Sequence, residues 1–344
     1  MPADSRAVSM VACLVCSGAF IGKNGKSGSD SKPKRTRMVI SPLSRSSDVT
    51  LLETFQAEQL IHGWRDEYNI DITDELHGHK QIYLYECNKS KLRFFVPSDV
   101  VGSERLYQQL EKNYNHYFST KWEFEAAIRD LSDCASALEI GCGEGVFLDL
   151  LSKRNSKIRS EGVDINPKAI AVAAGKGFCV SLVRVEDLVK TKRDYFDAVV
   201  ASHVLEHVPD PRAFLDAMIN LVKPGGKIII AVPNQASYLK HSKNALLNQP
   251  PHHMSQWSIE TFRFLESIFP VRIRHFRIDP ISKEEIDIYG IIQTHRFSVK
   301  ILRTIFYTFF TRFLKPLLMN FPAVRALIPG ENLYVCLEKR NQST

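Results

Sequence analysis

The sequence predicts an α/β fold: a doubly wound, mostly parallel sheet of seven strands, with a small α+β module before it and a helical insertion near its end. Strand-like and helix-like segments alternate between residues 135 and 234, which is typical of parallel strands joined by crossover helices. A glycine-rich turn, 141–145, joins the first of these strands to the first helix. Two strand-like segments near the C-terminus, 271–278 and 332–338, can complete the sheet.

Composition excludes several classes of protein. Hydrophobic residues make up 44% of the 344-residue chain, enough to build a core, so overall disorder is excluded. No stretch reaches the roughly 18–20 apolar residues of a membrane-spanning helix. The seven cysteines form no disulfide pattern, which favours a reducing compartment and a cytoplasmic protein. The net charge of +7 is concentrated near the two ends, so a nucleic-acid partner is not expected.

The chain is expected to divide into five segments. Residues 1–48 read as a disordered extension rich in Ser and basic residues, although 7–21 could be a signal-peptide core and the basic run 22–37 could contact nucleic acid or anionic lipid. The remaining segments are an N-terminal α+β module (49–131), the main α/β domain (132–295), a basic amphipathic segment (296–330) and a last strand with its tail (331–344).

The N-terminal module is expected to contain a helix (51–68), two short strands (81–86 and 91–96) and a helical region (103–131). The two strands have the look of a zinc ribbon, but the turn between them carries Cys87 followed by Ser90 where a second cysteine would stand. Even with Cys13 and Cys16 the chain would supply three thiolates, and a closed structural zinc site needs about four ligands. Cys87 is therefore predicted to be a buried thiol.

The main domain is expected to contain five parallel strands joined by helices. The strands are short apolar runs, and the helices have apolar residues at helical spacing. The expected strands are 135–140, 157–165, 178–185, 196–201 and 227–232, and the expected helices are 146–153, 167–176, 211–222 and 261–269.

The glycine turn and a later carboxylate together indicate a nucleoside ligand. Glycines allow a tight strand-to-helix turn and let the backbone approach a ligand closely. Asp164 ends the second strand about twenty residues beyond the turn, where an acidic side chain can accept hydrogen bonds from ribose hydroxyls. Asp164 could instead cap the next helix, but Asn166 is better placed to do so. Dinucleotide-binding enzymes share this pair of features, so it does not identify the cofactor.

Five motifs in serial order resemble those of class I S-adenosylmethionine-dependent methyltransferases. They are LEIGCGEGVFLDLL, GVDINPKAI, the pair Glu186-Asp187, FDAVVASHVLEHVPDP and LVKPGGKIIIAVPN, and they span about residues 122–261. The glycine spacing is G-x-G-x-G, not the G-x-G-x-x-G of dinucleotide enzymes. The resemblance implies a Rossmann-like fold with S-adenosylmethionine as cofactor.

The resemblance also assigns the cofactor-binding residues. It implies that Glu139 and the glycine turn hold the methionine moiety, Asp164 with Ile165 the ribose, an acidic pair the adenine, and the end of the fourth strand the sulfonium. The implied residues are Glu139, Gly141, Cys142, Gly143, Gly145, Asp164, Ile165, Glu186, Asp187, Ser202 and His203.

Histidines supply the candidates for acid–base or metal chemistry. His203 and His207 are four residues apart and could share a helical face, but no third ligand is apparent, so no metal site is expected. His252 and His253 lie in a loop that leaves the carboxyl end of the sheet, where ligands of such folds bind. We favour His253 as the general base, with His252 as the second candidate; one of the two could merely cap the helix that starts near Ser258.

The segment that precedes the main domain is rich in aromatic residues: Tyr107, Tyr114, Tyr117, Trp122 and Phe124. In proteins of this family such a segment usually covers the cofactor and shapes the acceptor pocket. A plain aromatic core between helices is the alternative.

Residues 297–321 contain apolar doublets every four residues, interspersed with basic residues and without acidic ones. A basic amphipathic helix of this kind suits a membrane interface, where it would lie flat. Pro316 is expected to kink or end it. The alternative is packing on the domain or on a second copy, as in a homodimer.

The expected activity is methyl transfer from S-adenosylmethionine to oxygen of a small-molecule or saccharide acceptor, which a lipid could carry. The stretch from Pro250 to Ser258 resembles family members linked to surface-polysaccharide and small-molecule methylation. A cytoplasmic location, peripheral at the inner membrane face, would fit. Alternatives are a non-catalytic cofactor-binding module and a nucleic-acid methyltransferase, although the Asn/Asp-Pro-Pro-Tyr/Phe motif of amino-directed DNA enzymes is replaced by Ser202-His203-Val204-Leu205.

Overall fold

The computed structural model describes residues 38–113, 121–241 and 245–341; Cys13, Cys16, Tyr114 and Tyr117 lie outside them. The first described residues form a turn, whereas we expected a solvated extension as far as residue 48. Leu43 is fully buried, its carbonyl accepts a hydrogen bond from Arg212, and Arg45 pairs with Asp210. The folded part of the chain therefore includes residues 41–48, which we expected to belong to the disordered extension.

A small antiparallel sheet comes first. Its elements and their neighbours are β1 (Val49–Gln56), α1 (Ala57–Tyr68), β2 (Gln81–Cys87), β3 (Arg93–Val96) and α2 (Glu104–Asn113). β2 pairs with both β1 and β3. The expected helix 51–68 is thus wrong in its first third, because residues 49–56 find backbone partners along β2. As expected, Cys87 is a buried thiol.

The main domain then alternates helices and strands. Its elements are α3 (Trp122–Asp130), β4 (Ser136–Ile140), α4 (Val146–Arg154), β5 (Arg159–Asp164), α5 (Pro167–Gly175), β6 (Val180–Leu182), α6 (Val185–Lys192), β7 (Phe196–Ser202), α7 (Pro211–Leu221) and β8 (Val222–Pro233). The expected strand 178–185 is shorter in the structure, and α6 occupies the residues that follow it.

The last part of the chain completes the sheet and adds the insertion. Its elements are β9 (Ser255–Gln256), α8 (Ile259–Ile268), β10 (Val271–Pro280), α9 (Ile286–His295), α10 (Lys300–Phe309), a π-helical turn (Phe310–Leu314), α11 (Lys315–Asn320), α12 (Pro322–Arg325) and β11 (Pro329–Lys339). The seven-stranded sheet has the order β10-β11-β8-β7-β4-β5-β6. β4 to β8 are parallel, and β11 runs antiparallel to both its neighbours, so the expected doubly wound sheet is confirmed.

Helices cover both faces of this sheet. Along β7, Ala198 and Val200 face a core built with α3 and α4, and Val199 and Ala201 face a core built with α6, α7 and α8. This alternation follows from the period of two along a strand, and it explains why strands buried on both faces read as continuous apolar runs.

The N-terminal sheet and the main domain share contacts. β9 pairs with β3, and Leu246 and Met254 of the same loop join the core beneath α1. α3, which we grouped with the N-terminal module, packs on α4 through Phe124 and Phe147. The loop between β8 and α8 therefore lies between the two sheets, at the carboxyl end of the parallel strands.

The insertion between β10 and β11 contains a helical pair, in which α9 packs against the continuous helix formed by α10, the π-helical turn and α11. Helix α9 was not expected, and Gly290 within it allows the ring of Phe310 to pack directly on its backbone. Pro316 stands in the first turn of α11, after the π-helical turn. Within the described ranges, no helix is both long and apolar enough to cross a bilayer.

Candidate functional site

The glycine turn between β4 and α4 follows the expected geometry. Gly141, Gly143 and Gly145 all have positive φ, a region that L-side chains rarely adopt. A Cβ on Gly141 would overlap Val204 Cγ2, and one on Gly145 would lie 2.7 Å from the Phe178 ring. A Cβ on Gly143 would meet no atom within 4 Å, so the space in front of that residue is open.

Cys142 contributes backbone to this turn and not its side chain. Its buried Sγ points at Gly162, where a Cβ would lie 2.8 Å away. Burial raises the pKa of this thiol, and the nearby carboxyl of Glu139 raises it further. The thiol is therefore kept neutral, which suits a packing role.

Asp164 is tied directly to the turn. Its Oδ2 accepts a hydrogen bond from Gly143 N at 2.8 Å, and its Oδ1 accepts one from Asn166 N at 2.8 Å. Asn166, not Asp164, caps α5, as anticipated. A carboxylate offers about four lone-pair positions, so Asp164 can still accept from a diol. Ile165 beside it is 71% exposed and could cover a planar ring.

Glu139 lies behind the turn as a buried carboxyl. Its Oε2 is buried and has no hydrogen-bond partner among the described residues. Burial raises the pKa of Glu139 well above its usual range, and the negative charge of Asp164 adds to this. A buried carboxyl oxygen without a partner in the described part of the chain fits an incoming cation such as an ammonium group.

Glu186 and Asp187 lie in the first turn of α6, not in a loop after a longer strand. Asp187 is exposed and pairs with Lys190 at 2.6 Å, which lowers the pKa of its carboxyl. Glu186 is half-buried, 3.5 Å from Arg184 Nε. Of the two, Glu186 is the less solvated and the better placed to meet a ligand.

Ser202 and His203 end β7 next to two buried carboxylates. His203 donates from Nε2 to Glu123 Oε1 at 2.9 Å and from Nδ1 to Glu206 Oε1 at 3.2 Å. Burial opposes protonation of this ring, but the two hydrogen bonds outweigh it and raise the pKa of His203 to about 9. Ser202 Oγ is 3.5 Å from the same Glu123 oxygen. His203 has φ of 54°, a strained value for a histidine, as often found at functional sites.

Three further histidines converge beside this pair. His207 follows in a short 3₁₀ turn (Leu205–His207), and its ring centroid lies 4.7 Å from that of His252 and 4.8 Å from that of His253. The rings of His252 and His253 stack at 4.5 Å. Tyr107 from α2 closes the group, with its hydroxyl 3.2 Å from His207 Nδ1.

These three rings are held neutral. Burial lowers the pKa of His252 to about 3, and the neighbouring imidazole of His207 lowers it further. Burial also lowers the pKa of His253 and of His207, and the other imidazoles contribute. Neither His252 nor His253 caps α8, because the N-cap is Ser258, which accepts from Thr261 N.

The residues that sequence reasoning missed are those whose partners come from distant segments. Glu123 was overlooked in a helix that looked like an aromatic cover, although it is buried beside His203. Trp122 and Phe124, its neighbours in that helix, pack on Tyr334 and Phe147 in the core. The pattern HVLEH was visible, but nothing in the spacing placed residues 252 and 253 beside it.

Comparison with known proteins adds a domain assignment. Residues 103–265 match the methyltransferase domain family. Ubiquinone biosynthesis O-methyltransferase of Xylella fastidiosa is 33% identical over 107 residues, which cover 29% of this chain and 43% of that protein. The protein of the same name from Xanthomonas oryzae pv. oryzae is 33% identical over 119 residues, or 33% of this chain and 48% of that one. The matches thus span less than half of these relatives' length.

Solved structures give only weak likenesses. A SAM-dependent methyltransferase from Archaeoglobus fulgidus is 24% identical with a TM-score of 0.41, covering 68% of this chain and 99% of that one. One from Thermotoga maritima is 18% identical with a TM-score of 0.45, covering 69% and 98%. These scores are too low to bear on function.

The domain match rests on sequence, whereas the strand order and the glycine turn rest on the coordinates. Both lead to one family, whose cofactor is S-adenosylmethionine. Residues 103–265 of this chain are accordingly a methyltransferase domain of the class I, S-adenosylmethionine-dependent type.

Proposed function

We propose that this protein transfers the methyl group of S-adenosylmethionine to a hydroxyl oxygen of a small, lipophilic molecule. The observation that carries this proposal is the pairing, at one edge of the sheet, of an open glycine turn with a cluster of neutral, buried histidines. The turn suits the cofactor, and the histidines suit an acceptor that must lose a proton.

The residues present fit the cofactor. The unpartnered Oε2 of Glu139 would receive its ammonium group, Asp164 its ribose hydroxyls, and Ile165 with Glu186 its adenine. Bound S-adenosylmethionine supplies a methyl group on a positively charged sulfur. The protein then contributes mainly alignment and the exclusion of water, since an activated donor needs little further help.

We assign His253 the role of proton acceptor for the acceptor hydroxyl. Its neutral ring is hydrogen-bonded through Nδ1 to Asn248 Oδ1 at 3.1 Å, which holds the ring in place. As the O–CH3 bond forms and the S–CH3 bond breaks, the hydroxyl proton passes to the imidazole and then to solvent. The products are the methyl ether and S-adenosylhomocysteine.

One experiment separates binding from turnover. Titration calorimetry should show S-adenosylmethionine binding to the wild type and a loss of at least about tenfold in affinity for Asp164→Asn, because one carboxylate acceptor for the ribose is removed. His253→Ala should keep that affinity and lose methyl transfer, measured by mass spectrometry of a lipophilic phenol and catechol panel. His62→Ala, an exposed histidine, is the matched control.

The outcomes distinguish the candidate functions. Full turnover in His253→Ala would refute the base assignment, and unchanged binding in Asp164→Asn would refute the ribose assignment. Binding without any methylated product across phenols, saccharides and other metabolites would favour the non-catalytic module.

The acceptor class rests on two observations. The relatives named above act in ubiquinone biosynthesis by their names, and none of them is named for a saccharide. The insertion also exposes an apolar stripe in which every fourth residue faces outward. Its members, 40–70% exposed, are Ile301, Ile305, Phe309, Phe313 and Leu317.

We further propose that this stripe lies on the membrane surface and brings the chain to a lipid-borne acceptor. In each of the last four doublets the second residue, such as Phe310 or Leu318, packs inward against the helical pair. The first residues, which form the stripe, have no packing role within the pair and remain exposed. The segment carries basic residues and no acidic ones, which favours an anionic lipid surface.

Co-sedimentation with phosphatidylglycerol vesicles tests this surface. Wild type should bind in a salt-sensitive way, and Phe309→Ser with Phe313→Ser should lose most binding. Leu52→Ser, an exposed apolar residue elsewhere, should bind as wild type does. No binding at low salt would reject the lipid proposal, and a dimer that the double variant dissociates would assign the stripe to a second copy.

A further inference from the structure

His207, His252 and His253 come from two segments 45 residues apart and bring their rings to one point. One ring nitrogen of each lies within 4.8 Å of those of the other two. A tetrahedral site with zinc–nitrogen bonds of about 2.0–2.1 Å places nitrogens about 3.3 Å apart, so side-chain shifts of about 1 Å would complete it.

In each of the three rings, the Nδ1 atom lies within hydrogen-bond distance of an oxygen atom. Nδ1 of His252 lies 2.8 Å from Leu247 O, that of His253 lies 3.1 Å from Asn248 Oδ1, and that of His207 lies 2.6 Å from His252 O. An acceptor oxygen beside Nδ1 places the ring proton there and the lone pair on Nε2. This is the arrangement that orients metal-bound histidines in proteins.

A carboxylate completes the set. Glu206 Oε1 lies 3.8 Å from His207 Nε2, and its Oε2 is buried with no hydrogen-bond partner in the described part of the chain. A buried carboxylate beside three imidazoles is a donor set that suits a divalent transition metal.

We propose that His207, His252 and His253, with Glu206, bind one divalent transition-metal ion, for which Zn²⁺ is the best fit. Imidazole nitrogen and carboxylate oxygen are both common zinc ligands. The expectation of no metal site rested on the lack of a third ligand near His207, and the loop before α8 provides two.

The metal site extends the proposed function. The role of the metal in catalysis rests on that proposed function, whereas the binding of the metal does not. Glu206 connects through His203 to Glu123 and Ser202 at the end of β7, next to the glycine turn. With an ion bound, His253 would be a ligand and could not also accept the proton of the acceptor hydroxyl. The ion would then lower the pKa of that hydroxyl in place of the base, and the proton would pass to solvent as the oxygen takes the methyl group. Metal binding itself does not depend on methyl transfer.

Cobalt binding tests the site without any assay of activity. The full chain, freed of metal with a chelator, is titrated with Co²⁺ and followed by visible absorption. We expect bands of tetrahedral Co²⁺ that saturate at one ion per chain and disappear when one equivalent of Zn²⁺ is added.

Variants locate the ion. His207→Ala and His253→Ala should each weaken binding more than about 100-fold, and Asn248→Ala, which only orients His253, about 10–100-fold. Because Asn248→Ala keeps every ligand and buries no new charge, it stays informative if a ligand variant fails to fold by circular dichroism. His275→Ala is the control, since the other candidate group, Asp130 with His275 and Cys336, is already held by Arg277 and Tyr334.

Several results would overturn the proposal. They are no saturable Co²⁺ or Zn²⁺ binding by the wild type, undiminished binding in folded His207→Ala or in Asn248→Ala, or loss of binding in His275→Ala. S-adenosylmethionine titration of the same samples separates the two proposals, because it reports the glycine turn and not the histidines.

Discussion

Gly141 and Gly143 are two residues apart in the same turn, but we expect opposite consequences when each is replaced by alanine. Both have positive φ, 73° and 51° respectively. A side chain on Gly141 would overlap Val204, whereas one on Gly143 would enter open space. The first substitution should therefore damage the fold, and the second should damage cofactor binding.

The cost of Gly141→Ala has two parts. An L-residue in the left-handed region costs roughly 1–2 kcal/mol. Overpacking against Val204 typically adds about 1–3 kcal/mol, so the free energy of unfolding should fall by about 2–5 kcal/mol. Removing the overlap in Gly141→Ala with Val204→Ala should recover part of the second loss relative to Val204→Ala alone.

In Gly143→Ala only the left-handed backbone conformation costs stability, because the new methyl group overlaps no atom of the described residues. The free energy of unfolding should fall by only about 1–2 kcal/mol. The new methyl group stands where the cofactor would lie, and a steric cost of about 1–3 kcal/mol there corresponds to an affinity loss of about 5- to 150-fold.

Urea denaturation and calorimetric titration with S-adenosylmethionine measure the two effects separately. The reasoning fails if Gly143→Ala is destabilised as strongly as Gly141→Ala, or if it binds the cofactor as tightly as the wild type. Either result would mean that the open space in front of the turn is not the methionine site.

Three further changes test other parts of the structure. Glu139→Gln removes a buried, unpartnered carboxylate oxygen, so the protein should lose no stability in urea while S-adenosylmethionine affinity falls at least about tenfold; severe destabilisation would contradict this. Burial and the charge of Glu285 raise the pKa of Glu331 to about 7, so the folded state holds a proton that the unfolded state has lost between about pH 4.5 and 7, and stability should fall by up to about 3 kcal/mol as pH rises through that window. The pH dependence of urea midpoints should be flatter in Glu331→Gln, and an equal slope would refute the assignment. Phe310→Ala should cost about 3–5 kcal/mol, measured by thermal unfolding, because the ring fills the space over Gly290; a loss below about 1 kcal/mol would mean that the helical pair is not packed as described.

Much of the main domain could be predicted because its elements are encoded locally. The central strands β4, β7 and β8 contain apolar runs and pair on both sides, and α7 has its apolar residues on one face. Sequence patterns failed where the partner was remote. Residues 49–56 became a strand because β2 lies beside them, and the strand expected at 178–185 ended at Leu182 because α6 begins at Val185.

The candidate cofactor residues lie in a single turn and at one strand end, so short-range spacing sufficed to nominate Gly143 and Asp164, and the resemblance to a family nominated Glu139. No short-range spacing predicted that the three clustered histidines would meet. His207 meets His252 and His253 only because a loop from beyond β8 returns to the carboxyl end of β7, and Met254 N donates to Glu206 O at 2.8 Å to fasten it there.

The amino-acid sequence by itself determined the alternation of strands and helices, the conformational freedom of the turn and the chemical types available at each strand end, since all of these depend on residues a few positions apart. Tertiary structure alone decided which side chains became buried together. Burial then set the ionisation of Glu139 and of the three clustered histidines, and hydrogen bonds to two carboxylates set that of His203, because removal of water and contact with distant charges are properties of the folded chain.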